Sequence, residues 1–120
     1  MKIVLSTDHA GYEAVGVLNE FIKSLGHEVV YLGPDNFDVD DDYPMYIARA
    51  AQSVSSGECA MGIILGGSGQ GEAIAANRHQ GVRCAVFYSP AIANSAIDAE
   101  GNASDDPYEI VKLSDRRAHV

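Results

Sequence analysis

The sequence predicts an α/β fold, a three-layer α/β/α sandwich around a parallel sheet. Three observations predict it: short apolar runs without alternation, helix-spaced segments between them, and turn residues at the junctions. Lys2 to Ser6 is the first run, the pattern of a strand buried on both faces. Tyr12 to Leu25 follows with Val15, Leu18, Phe21, Ile22 and Leu25 at helical spacing, and Gly26 stands where a C-terminal cap is expected. Glu28 to Leu32 repeats the strand pattern, and Gly33-Pro34-Asp35-Asn36 closes it with turn chemistry. The acidic stretch Asp38 to Asp42 leads into Tyr43-Pro44, where proline suits a first helical turn, and Met45 to Val54 reads as the second helix. Met61 to Leu65 is the third strand, Gly66 to Gly71 a loop, Glu72 to Arg78 a short helix, and Val82 to Phe87 the fourth strand.

Strands alternating with helices give right-handed crossovers and a parallel sheet covered on both faces. The expected topology is flavodoxin-like (Rossmann-like), with strand order 2-1-3-4. From Ser89 to Asp106 the pattern weakens into small and polar residues and reads as a surface insertion. Pro107 to His119 then resumes helical spacing through Tyr108, Ile110, Val111 and Leu113. The expectation is one domain over residues 1–120 whose fifth strand is missing or altered, C-terminally truncated or diverged after residue 88.

Composition narrows the function. With 120 residues and 47% hydrophobic content, the chain has the size of a single globular domain. No apolar run approaches the roughly 20 residues of a membrane span, so no membrane partner is expected and the expected location is cytoplasmic. The two cysteines, Cys59 and Cys84, each sit in an apolar segment and read as buried thiols, not as a disulfide. A net charge of −9 and a pI near 4.6 argue against a nucleic-acid partner. An anionic ligand would then need local compensation from arginines, histidines or backbone amides.

In open α/β sheets, ligands bind beyond the carboxyl ends of the strands where strand order reverses, here between strands one and three. The loops at that point are Asp8-His9-Ala10-Gly11 and Gly66-Gly67-Ser68-Gly69-Gln70-Gly71-Glu72. Glycines let amide N–H groups approach a ligand closely, and a helix start beyond them favours negative charge, so the second loop reads as a cradle for a phosphate or an enediolate. The plainer reading is a tight strand-to-helix turn. Glu72 in the first helical turn complements the dipole, worth roughly 0.3–1 kcal/mol, or serves as a base. Ser68 either shapes the turn or donates a hydrogen bond to a substrate oxygen. Asp8 alone would be a helix cap and His9 a surface residue, but their place opposite the glycine loop makes both binding candidates. His9, His27, His79 and His119 show no metal-ligand spacing, and neither metal nor cofactor is expected.

Several motifs together carry a resemblance: Ser6-Thr7-Asp8-His9-Ala10-Gly11-Tyr12, Gly26-His27-Glu28-Val29, Asp42-Tyr43-Pro44, and Gly62 through Glu72 continuing to Ala75-Ala76-Asn77-Arg78 and Gly81-Val82-Arg83-Cys84-Ala85. The chain resembles ribose-5-phosphate isomerase type B and its relatives in the ribose/galactose isomerase family over residues 1–88. The resemblance implies interconversion of ribose 5-phosphate and ribulose 5-phosphate through an enediolate, without metal or cofactor. It also implies a homodimer with a shared active site. Many members place a cysteine base where this chain has Gly66; in the branch resembling the actinobacterial enzymes, a glutamate after G-G-S-G-x-G takes that role, and Glu72 stands there. By the same resemblance Asp8 and His9 contact the sugar or its phosphate, and Tyr43 lines the site. Ser68 with Gly67, Gly69, Gln70 and Gly71 steadies the enediolate oxygens, and Asn77 supports the loop.

The tail departs from the family pattern. Members carry a helix ending in R-E-H-N, whose histidine opens the furanose ring, then a strand ending in a phosphate-binding arginine. Here Ile110 to Val120 contains Arg116-Arg117-Ala118-His119, which makes His119 the ring-opening candidate and Arg116 or Arg117 the phosphate candidates. Two functions follow as expectations: an active aldose-ketose isomerase using Glu72, or a sugar-phosphate-binding member that has lost ring opening. A phosphoacceptor domain fits less well, since the acidic cluster follows the second strand and not the first and third.

Overall fold

The computed structural model describes residues 1–87, and within them Met1–Cys84 is one compact unit. Its centre is β1, Lys2–Thr7, the middle strand of a parallel sheet of order β2-β1-β3, where β2 is Glu28–Tyr31 and β3 is Met61–Leu65. Lys2 pairs with Glu28 through to Leu5 with Tyr31 on one side. On the other side Ile3 pairs with Met61 through to Thr7 with Leu65. A strand flanked on both edges and covered on both faces has no position for an exposed residue, which is why its apolar run does not alternate. Val4, Leu5, Ser6 and Thr7 are fully buried. The two hydroxyls are satisfied: Ser6 Oγ donates to the Tyr46 carbonyl at 3.2 Å, and Thr7 Oγ1 donates to the Asp8 carbonyl at 2.9 Å.

Among the described residues α1 (Tyr12–Ser24) and α2 (Tyr43–Ser55) pack on the sheet, and α3 (Gln70–Asn77) packs on α2. At the end of α1 the chain turns through Gly26 at φ 84°. There the Gly26 amide bonds Lys23 O at 2.9 Å and the His27 amide bonds Ile22 O at 3.4 Å. This paired pattern is the Schellman closure, and it requires the left-handed residue that glycine supplies without strain. Proline opens α2 as expected, in its first two positions. The first core cluster joins Val4, Ala50 and Cys59 to Val30, Leu32, Val54 and Ile64, and the second joins Ile47, Ala51 and Ala76 to Tyr43, Val82 and Cys84. Side-chain alternation then sets Ile3, Leu5 and Thr7 on the opposite face, where the Gly11 backbone lies against Thr7. Both cysteines are free thiols, Cys59 buried and Cys84 half-buried, and burial pushes the Cys84 thiol pKa up.

The expected order 2-1-3 is what the described strands adopt. The expected fourth strand, residues 82–87, forms no sheet pairing among the described residues. Val82 and Cys84 still pack in the second cluster, but the backbone of Cys84 is met by a side chain. Asn77 Oδ1 accepts from the Cys84 amide at 2.7 Å and Asn77 Nδ2 donates to its carbonyl at 2.9 Å. These bonds occupy one edge of the backbone at Cys84, where a strand on that side would pair. The short helix begins two residues earlier than expected, at Gln70, so the glycine loop is reduced to residues 66–69. The insertion after Ser89, the helix from Pro107, and the altered fifth strand all lie outside the described residues.

Candidate active site

The register that pairs Thr7 with Leu65 brings the ends of β1 and β3 to one level, and the two loops leave from there side by side. A Cβ on Gly67 would lie 3.8 Å from that of Ala10, within ordinary contact. The approach is closer at Gly11, where a Cβ would collide with Thr7 Oγ1 and stand 2.5 Å from Leu65 Cβ. Gly11 is therefore a steric requirement of bringing the first loop across the strand ends.

In the first loop Asp8 is 5% exposed, and its Oδ1 accepts the Ala10 amide at 2.9 Å, capping the 3-10 turn His9–Gly11. His9 meets Asp41, from the acidic connection before α2. Asp41 Oδ1 accepts the His9 backbone amide at 3.2 Å and lies 2.7 Å from His9 Nδ1. The Asp41 side chain is 3% exposed and that of His9 35%. The Asp41 contact holds the His9 pKa above its ordinary 6.5; desolvation opposes it, and the charges of Asp8, Asp41 and Asp38 add to the rise. Sequence reading missed Asp41, taking residues 38–42 as a charged lead-in to the helix. The signal was there only in the length of the acidic run before Tyr43-Pro44, because the contact spans 32 positions.

The second loop turns through Gly69 at φ 75°, and Ser68 Oγ accepts the Gln70 amide at 3.3 Å, which leaves its hydroxyl proton free to donate. Glu72 follows in the first turn of α3 and is 5% exposed. Its carboxylate folds back over the strand end, so that a side chain at Gly66 would collide with Oε1. Tyr43 closes the other side: a Cβ on Gly71 would stand 2.5 Å from its hydroxyl oxygen. The folded chain thus gathers Glu72 and Tyr43 around Gly66–Gly71, with Ala10 of the first loop alongside Gly67. Asn77 lies apart from that group, with both amide atoms engaged on Cys84. His119, Arg116 and Arg117 lie outside the described residues.

Asp8, His9 and Asp41 each bring one polar side-chain atom within 4.8 Å of the others. The histidine spacing concealed this grouping because Asp41 reaches the loop from a distant segment. Chemically the site combines a buried carboxylate, a glycine cradle at a helix start and a histidine paired with an acid. Such an arrangement can move a proton next to an oxyanion.

The ribose/galactose isomerase family matches residues 3–103. The chain is 42% identical over 102 residues to ribose-5-phosphate isomerase B of Mycobacterium tuberculosis, covering 85% of this chain and 62% of the relative. It is 37% identical over 86 residues to a galactose-6-phosphate isomerase subunit of Clostridium acetobutylicum, covering 72% and 49%. Among solved structures it is similar to ribose-5-phosphate isomerase B of Mycoplasma genitalium with bound ribulose-5-phosphate. That match has a TM-score of 0.73 and 34% identity, and covers 78% of this chain and 62% of that one. The chain thus spans less than two thirds of the length of these relatives.

Proposed function

The chain belongs to the ribose/galactose isomerase family, and from that premise we propose that it interconverts ribose 5-phosphate and ribulose 5-phosphate with Glu72 as the base. The observation that carries the reading is the placement of the Glu72 carboxylate, buried at Gly66 within the cradle, in the space where a side chain at position 66 would otherwise stand. In the open-chain aldose, Glu72 takes the proton from C2. The C–H electron pair forms the C1–C2 double bond, and negative charge moves to the C1 oxygen. The amides of Gly67, Gly69 and Gly71 and the Ser68 hydroxyl meet that charge as it develops, while the Gln70 amide holds Ser68 Oγ. Glu72 returns the proton to C1, and the C2 hydroxyl proton passes to the C1 oxygen as the ketone forms. Asp8 and His9 hold the sugar or its phosphate, and Tyr43 walls the crevice. Ring opening is assigned to His119. A homodimer with a shared site and a cytoplasmic location complete the reading.

The test is turnover of ribose 5-phosphate by wild type and Glu72→Gln. A general base contributes about 10²–10⁴-fold, so the substitution should lower kcat by that factor with KM little changed. Unchanged turnover removes Glu72 from the role. Binding of ribose 5-phosphate without turnover by wild type would instead identify a sugar-phosphate-binding member.

A further inference from the structure

Asp41 is a buried carboxylate within an exposed acidic stretch. Its neighbours Asp38, Asp40 and Asp42 are exposed, while its own side chain is 3% exposed. Among the described residues Oδ2 is buried with no hydrogen-bond partner, and Oδ1 takes both its contacts from His9, the backbone amide at 3.2 Å and Nδ1 at 2.7 Å. Burying a carboxylate costs several kcal/mol unless a partner offsets it. Among the described residues His9 is that partner, so the two side chains form one unit.

We infer that Asp41 is a positioning residue: it holds Nδ1 of His9 and so presents Nε2–H as a fixed donor to the phosphate of the ligand. This rests on the proposed sugar-phosphate site and gives His9 a specific task within it. With Nδ1 engaged, the other ring nitrogen lies on the far edge of an imidazole whose side chain is 35% exposed. The ring sits one residue before Ala10, the residue nearest Gly67 of the cradle. The charged groups facing it are Asp8 on its own loop and Asp38 and Asp41 on the acidic connection, and all three favour the imidazolium. In a chain of net charge −9, an approaching phosphate is repelled at long range, and a charge-assisted donor held at the crevice supplies the local compensation.

A purely structural His9–Asp41 clasp would fasten the two loops without making ligand binding depend on pH. The experiment uses the full chain with 15N-labelled histidine, titrated by NMR in the presence of a chelator, for wild type and Asp41→Asn. The affinity for inorganic phosphate and ribose 5-phosphate is measured across the same pH range. In wild type His9 should remain protonated above pH 6.5, and Asp41→Asn should move its midpoint to lower pH. At neutral pH the variant should bind both ligands about 10-fold more weakly, the order expected for one charge-assisted contact, and the deficit should shrink as acid protonates His9 in both proteins. A wild-type midpoint at or below 6.5, or one that Asp41→Asn leaves in place, overturns the inference. So does an affinity deficit that is the same at every pH. If Asp41→Asn does not fold, the wild-type midpoint and the pH dependence of its phosphate affinity still decide. If these results hold but ribose 5-phosphate is never turned over, the isomerase reading falls and the role of Asp41 stands.

Discussion

The carboxylate of Glu72 fills the space that any side chain at Gly66 would need. Two positions six residues apart therefore compete for one volume beside the cradle. Gly66→Ala should displace the carboxylate. Steady-state kinetics should show a loss in kcat approaching that of Glu72→Gln, about 10²-fold or more, while the melting temperature falls only slightly because the displaced group can swing outward. Gly66→Ala with normal kcat would show that the carboxylate works from elsewhere.

Gly11 is constrained differently, because the atoms facing it belong to strand ends that cannot swing away. A Cβ there meets Thr7 Oγ1 and Leu65 Cβ, both anchored on paired backbone. Gly11→Ala should cost roughly 1–3 kcal/mol of stability, read by urea unfolding, as overpacked sites do. The first loop should also be pushed off the crevice, raising KM for sugar phosphate.

The Asn77 carboxamide offers a test of the segment that did not join the sheet. Asn77→Ala removes both partners of the Cys84 backbone and should cost about 1–3 kcal/mol, whereas Asn77→Asp keeps the acceptor but loses the donor and should fall between. Amide exchange at Cys84 should accelerate in the alanine variant. Unchanged exchange would mean that another group protects this amide.

The His9–Asp41 pair predicts a direction for stability against pH. The folded-state pKa of His9 is raised above 6.5, so the folded chain holds this proton more tightly than the unfolded chain. The pair's contribution is fully present below that value and is lost as pH rises through the folded-state pKa. Wild type should lose part of its stability over that interval, and His9→Gln should show a flatter profile there. Unfolding curves collected at several pH values measure both.

The strands and helices of residues 1–65 were legible because each rests on a local cause: an unbroken apolar run for β1, Pro44 at the start of α2, Gly26 after α1. The segment 82–87 has the composition of a strand, but composition does not decide pairing, and among the described residues the Cys84 backbone bonds the Asn77 carboxamide. The site divided in the same way. The loops that carry Ala10 and Gly67 follow from the order of the strands, so that these two loops lie side by side could be anticipated. Asp41 could not be anticipated, since its partner is 32 positions away and its burial is a tertiary fact. The resemblance already set Glu72 against the cysteine absent at Gly66; the folded chain adds that the Glu72 carboxylate occupies the space beside Gly66.

The pairing of Thr7 with Leu65 carries a consequence for how this protein can change. Side chains along a strand alternate between faces, so inserting or deleting one residue in either strand turns every later position over and carries its loop to the wrong side of the sheet. The loops, by contrast, can exchange residues without disturbing that register. Descendants of this chain should therefore diverge in what the crevice holds through substitutions at the loop positions, while the lengths of the two strands beneath stay constant.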